Sequence, residues 1–288
     1  KPKHIAHPIL VTIYAVVFLG GVVGIVIMTF LLCRTNTRSV TITAVINLLA
    51  IHSVFLLSIP FRIIYYLHNE WEFGFYSCKI VSATIHLHMY LCFVFYVIML
   101  GIRFLGFFQH KDKIEFYRKL HSVVASSAVW IIMLVIIIPM VILYGTNTED
   151  NGKKCFYFQK ELNHSFVRIV NYIIIAVMIF VVIFLLTVQI IIIVKVVKNL
   201  PGSVLSHQEF WAQLKSLFFI LVMIFSFFPY HLFRIYYLFH VDECFYVNEI
   251  FLAITALSCL DLLSFALQTY FHKICQTITC PVRCPCKL

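Results

Sequence analysis

Several cationic and hydroxyl side chains sit in otherwise apolar stretches, in a pattern that suits an anion. His231 and Arg234 are three residues apart, so a helix puts them on one face. Tyr230 adds a hydroxyl beside them. Arginine grips phosphate or carboxylate through a two-pronged fork of N–H donors. His86 and Tyr90, with Met89 between them, offer a second helical pair. Arg62 and Tyr66 offer a third, and Phe251 and Thr255 close the ring. The chemistry on offer is recognition of an anionic ligand, a nucleotide or a lipid. The plainer alternative is that Tyr230, His231 and Arg234 pair with Glu249 or with loop backbone. Catalysis is a poor fit. Asp261 is read as the carboxylate within an apolar stretch, and His86 and His88, at i,i+2, do not share a helix face. The chain is therefore read as no enzyme and as needing no cofactor.

The elements that must carry these groups are long and apolar. The chain has 288 residues, 62% hydrophobic and 12% charged, well under the roughly 25% charged of a soluble domain. Seven apolar segments lie near 9–32, 40–67, 77–108, 120–144, 166–197, 210–239 and 245–271. About 20 apolar residues cross a bilayer core of about 30 Å, and in lipid the backbone must pair within its own segment. The expected fold is an all-α membrane protein, one seven-helix domain over 1–288. Asn47, His52, Arg62, His86, His88, Arg103, Gln189, His231, Arg234 and Asp261 fall within these segments. Polar groups there are costly and so are functional candidates.

Lys and Arg orient the bundle. Arg34, Arg38, Lys111, Lys113, Arg118, Lys119, Lys195, Lys198, Lys215 and the tail basics crowd one side, while the opposite loops are rich in acids. The positive-inside rule makes the first side cytoplasmic, with the N-terminus outside. The net charge of +10 then serves topology and anionic lipid headgroups, not nucleic acid. No cleavable signal peptide is visible, and the first span can act as the insertion signal.

Cys78 and Cys155 fall on the oxidising side, where disulfides persist. A bridge between them would pin the second outer loop over the bundle mouth, and two free thiols are the alternative. Cys244 is left over outside, and a cysteine upstream of Lys1 is its expected partner. Asn163-His164-Ser165 is a glycosylation sequon. Cys275 and Cys280, with Cys284 and Cys286, follow a short amphipathic stretch after span seven. They suit palmitoylation, with inert thiols or a metal site as rivals.

Trp71-Glu72-Phe73-Gly74, Cys78, Arg103 lying 25 residues further on, Trp130, Cys155, Asn47-Leu48-Leu49, Pro229 and Asp261 form one ordered set. In it the whole chain resembles the rhodopsin-like (class A) G-protein-coupled receptors. Phe227-Phe228-Pro229-Tyr230-His231-Leu232-Phe233-Arg234 is similar to the Phe-x-Pro-Tyr-His-x-x-Arg motif of the nucleotide-receptor branch, as are Pro60 and Asp261. Segments 36–40, 116–120 and 206–215 are similar to those of an orphan member of that branch. The resemblance implies a plasma-membrane receptor for an extracellular ligand. Its cytoplasmic partner would be a heterotrimeric G protein, docking beside Arg103 as span six moves outward about Pro229. Arg103, Phe104, Phe227, Pro229, His52, Asp261 and Phe265 take the family's switch positions.

The departures concern that switch. The helix-one Gly-Asn reads Gly24-Ile25, the helix-two Asp is His52, Asp-Arg-Tyr reads Ile102-Arg103-Phe104, and helix seven reads Asp261-Leu262-Leu263-Ser264-Phe265. An imidazole cannot give Na⁺ a hard anionic oxygen, so no sodium site is expected, and His52 should pair with Asp261. The losses cut both ways, towards raised basal signalling or towards weak coupling. A weakly signalling scavenger or heteromer partner is therefore the alternative within the class. A small-molecule transporter is the alternative outside it, but no internal repeat is visible.

Overall fold

A computed structural model describes residues 2–34, 40–108, 123–135, 153–156, 162, 164–200, 207–241 and 243–264. The helices are α1 (Pro2–Cys33), α2 (Val40–His68), α3 (Phe75–Phe108), α4 (Val123–Val135), α5 (Ser165–Asn199), α6 (Glu209–Tyr237) and α7 (Phe245–Ser264). All but α4 are long and apolar enough to cross a membrane. Phe265, Asn163, Cys275, Cys280 and the rest of the C-terminal tail lie outside the described residues.

α1 starts earlier than its apolar run. Pro2 holds the first helical position, where no backbone N–H is needed. The extra turns carry His7, whose Nδ1 lies 2.9 Å from the Tyr66 carbonyl oxygen at the end of α2.

Each helix turns one stripe inward and leaves the rest apolar for lipid. On α1, Leu10, Tyr14 and Val17 are buried, while Leu19, Val26 and Phe30 are exposed. Gly21 and Gly24 continue the inward stripe. A side chain at Gly24 would place its Cβ 3.0 Å from the Leu263 backbone nitrogen, and at Gly101 it would meet nothing within 4 Å. Small residues let membrane helices approach closely. Gly24→Ala should therefore lower the melting temperature of the purified protein, and Gly101→Ala should leave it unchanged or slightly raised.

α3 runs through the centre and buries Cys78, Val81, Ile85, Cys92, Tyr96, Met99 and Leu100. Asn47 joins α2 to α4: its amide donates to the Ser126 hydroxyl at 3.0 Å, and its carbonyl accepts from the Trp130 indole at 2.9 Å. The Gln189 amide on α5 donates to the Gln213 carbonyl of α6 at 3.1 Å.

α6 and α7 are not uniform. Met223–Phe227 forms a π-helical turn just before Pro229. Proline lacks an N–H and its ring crowds the preceding turn, and a widened turn absorbs both defects. α7 tightens to a 3-10 stretch over Ala256–Leu260.

At one end of the bundle Cys78 and Cys155 form a disulfide, Cα–Cα 5.8 Å. The Trp71 backbone N–H donates to the Lys153 carbonyl at 2.8 Å and its indole to the Gly74 carbonyl at 2.7 Å. Gly74 has φ +83°, a region open to glycine at no steric cost. Cys244 is unpaired among the described residues.

Candidate functional site

Two polar groups of residues lie inside the bundle. The first is in the half holding the disulfide. Arg62 is 1% exposed. Its guanidinium donates to the Val81 carbonyl at 2.9 Å, reaches the Tyr14 hydroxyl at 3.4 Å, and sits 4.4 Å over the Phe156 ring. Arg234 donates to the side-chain carbonyls of Asn248 at 3.2 Å and Asn171 at 3.4 Å, between the rings of Tyr230 and Tyr237. His86 stands within electrostatic reach of Arg62, Arg234 and His231. His231 Nδ1 lies 2.8 Å from the Phe227 carbonyl. That oxygen only accepts, so Nδ1 carries the proton, and the buried Nε2 has no partner among the described residues. The Tyr90 ring lies 6.5 Å from the imidazole.

Six of the eight expected ligand residues thus converge: Arg62, His86, Tyr90, Tyr230, His231 and Arg234. Met89 is fully buried in the hydrophobic core, and Phe251 stacks on Phe233 at 4.8 Å. These two are packing residues of the same walls.

Glu249 corrects the sequence reading. It lies within α7, not in an outer loop, at 2% exposure and accepts from the Tyr66 hydroxyl at 2.9 Å. A charge near a span's end reads as a loop residue, because hydropathy cannot say which way a helix turns it. Nor does it pair with Tyr230, His231 or Arg234. Arg62 and Arg234 lie within its electrostatic reach, but neither is in an ion pair among the described residues.

The second group sits midway along the helices. His52 Nε2 lies 3.1 Å from an Asp261 carboxylate oxygen. The other oxygen accepts from the Tyr96 hydroxyl at 2.5 Å. The expected His52–Asp261 partnership is present, and Tyr96 is a third member that sequence reasoning missed. His88 and Cys259 also close on His52. The Tyr96 ring packs on Phe219 at 5.5 Å and Phe227 at 6.3 Å. Phe219 in turn lies 5.7 Å from the Arg103 guanidinium. Arg103 donates to the Ser216 hydroxyl on α6 at 3.0 Å. With no acidic neighbour at Ile102, the guanidinium is held by a hydroxyl on α6. Phe104 is buried in the bundle's main hydrophobic core.

The sequence matches the model of the 7 transmembrane receptor (rhodopsin family) over residues 24–266. The chain belongs to the rhodopsin family of seven-transmembrane receptors. It is a multi-pass plasma-membrane receptor that signals through G proteins at its cytoplasmic side, and not an enzyme. It is 52% identical to the human Probable G-protein coupled receptor 141, covering 91% of this chain and 88% of that one. It is 25% identical to the rat 2-oxoglutarate receptor 1, over 77% and 66%. It is 30% identical to the mouse N-arachidonyl glycine receptor, over 49% and 41%.

Proposed function

We propose that this receptor responds to a small extracellular ligand bearing a carboxylate or phosphate, bound among α2, α3, α6 and α7. The observation that carries this is a charge imbalance in one half of the bundle. Buried Arg62 and half-buried Arg234 lie near a single buried carboxylate among the described residues of this half, Glu249, and that carboxylate pairs with a tyrosine. An anion taken between Arg234, His231 and Arg62 restores balance in a low-dielectric site, where an unpaired charge is costly. His231 Nε2 offers an acceptor to a ligand donor. Tyr230, Tyr90, His86, Met89 and Phe251 supply the walls. The receptors of rat and mouse named above take their names from carboxylates, which agrees with this chemistry.

The N-terminus faces outside and the tail inside, where juxtamembrane basics meet anionic lipid headgroups. Ligand entry biases α6 to swing outward about the π-turn and Pro229. Helices bend at such points because backbone hydrogen bonds are already missing there. Arg103 then exchanges Ser216 for a group on the G protein. The test is agonist potency in membranes expressing the receptor, screened with fatty-acyl glycines, dicarboxylates and nucleotides. Arg234→Ala removes a charge-assisted contact of roughly 1.5–3 kcal/mol, so potency should fall about 10- to 100-fold. Unchanged potency would sink the assignment.

A further inference from the structure

His52, His88 and Cys259 bring one ligand atom each to a common centre, all within 4.8 Å of one another and all buried. His52 Nδ1 lies 2.9 Å from His88 Nε2, 3.5 Å from Cys259 Sγ and 3.8 Å from Cys92 Sγ. Cys259 Sγ is 3.2 Å from His88 Nε2. His88 and Cys92 are i,i+4 on α3, one helical face. His52 comes from α2, and Cys259 from the 3-10 stretch of α7.

We propose that His52 Nδ1, His88 Nε2 and Cys259 Sγ hold a buried zinc ion, and that Cys92 Sγ turns inwards as the fourth ligand of a tetrahedron. Zinc takes nitrogen at about 2.0–2.1 Å and thiolate at about 2.3 Å. A tetrahedron with those arms has edges of about 3.3–3.8 Å. Among His52, His88 and Cys259 the separations of 2.9–3.5 Å need only small outward shifts, while Cys92 Sγ, which approaches His52 Nδ1 at 3.8 Å, must turn further inwards.

The plainer account is a hydrogen-bond network. It has one proton to place between His52 Nδ1 and His88 Nε2, while the Cys259 thiol approaches both nitrogens and the Cys92 thiol approaches His52 Nδ1. A cation at the centre satisfies every converging atom at once. Two thiolates neutralise the dication, which makes the site tolerable in a bundle interior. The donor set, imidazole and thiolate, selects zinc over sodium, magnesium or calcium.

Asp261 completes the arrangement. It lies on the opposite ring nitrogen of His52, at 3.1 Å, and is itself held by Tyr96. A carboxylate behind a ligating histidine fixes the ring's tautomer and raises its basicity. The site ties α2, α3 and α7 together, and through Tyr96 it reaches the aromatic contacts of α6. Zinc therefore clamps the arrangement seen here. Binding releases the two thiol protons.

The experiment uses the full receptor purified in detergent, stripped with chelator and then exposed to zinc, with metal content measured after removal of excess. One zinc per receptor is expected, together with a rise in melting temperature. Cobalt substitution should give the visible bands of a tetrahedral site and a near-ultraviolet sulfur-to-metal charge-transfer band. Cys259→Ala and His88→Gln should each abolish stoichiometric zinc and the charge-transfer band. Asp261→Asn should weaken zinc binding about 10- to 100-fold. Serine at Cys33, Cys244 and the four tail cysteines should change nothing. Should a core variant not fold, the cobalt spectrum of the wild-type receptor decides alone. Substoichiometric zinc in the wild type, a cobalt spectrum without the sulfur band, or equal zinc in folded Cys259→Ala and His88→Gln receptors overturns the proposal.

Discussion

Asp261→Ala should lower the melting temperature of the purified receptor on the order of 10 °C. The carboxylate is 2% exposed, and its partner His52 is fully buried. Removing it strands the imidazole and takes the acceptor from the Tyr96 hydroxyl. Breaking one side of a buried pair costs about 3–5 kcal/mol, mainly because the survivor cannot return to water. In chelator-stripped receptor, the double variant His52→Leu, Asp261→Leu removes both partners and should recover much of that loss, because an apolar replacement of a buried pair is often neutral. Thermal unfolding of the single and double variants in one detergent separates the outcomes. Equal losses would mean that the pair is not the source of the effect.

Arg103→Ala should abolish G-protein activation while leaving the receptor folded and at the cell surface. Ser216→Ala should do the opposite and raise basal activity. Both follow from one contact, the 3.0 Å hydrogen bond from Arg103 to Ser216 that joins α3 to α6. Taking away Ser216 releases α6 but keeps the guanidinium for the partner protein. A hydrogen bond to a charged group is worth roughly 1.5–3 kcal/mol, which shifts a two-state equilibrium about 10- to 100-fold. Guanine-nucleotide exchange in membranes, normalised to surface receptor, reads both variants. A silent Ser216→Ala receptor beside an active wild type would remove this contact from the switch.

Much of the architecture was readable from residues alone. Apolar run length located the helices, and the order of Cys78, Arg103, Trp130 and Pro229 singled out the family. His52 and Asp261 could be matched because each occupies a motif position. What escaped depends on helix rotation and on contacts distant in the chain. Glu249 reads as a rim acid until α7 turns it onto Tyr66. Cys259 looks like a small apolar filler, and only the 3-10 stretch aims its sulfur at His52 and His88. Asn171 and Asn248 carry no motif, yet they hold Arg234 in place. Tyr96 was legible in principle, since it follows His88 and Cys92 at successive i+4 steps on α3.

The claim that ligand recognition rests on unbalanced positive charge is tested most directly by pairing acids with their neutral isosteres. Activation would be measured for an activating carboxylate or phosphate and for its primary amide or uncharged ester, on the wild-type receptor and on Arg234→Ala. The account predicts that the acid is at least about 10-fold more potent on the wild type and that Arg234→Ala erases most of that preference. Equal potency of acid and amide on the wild-type receptor would contradict it.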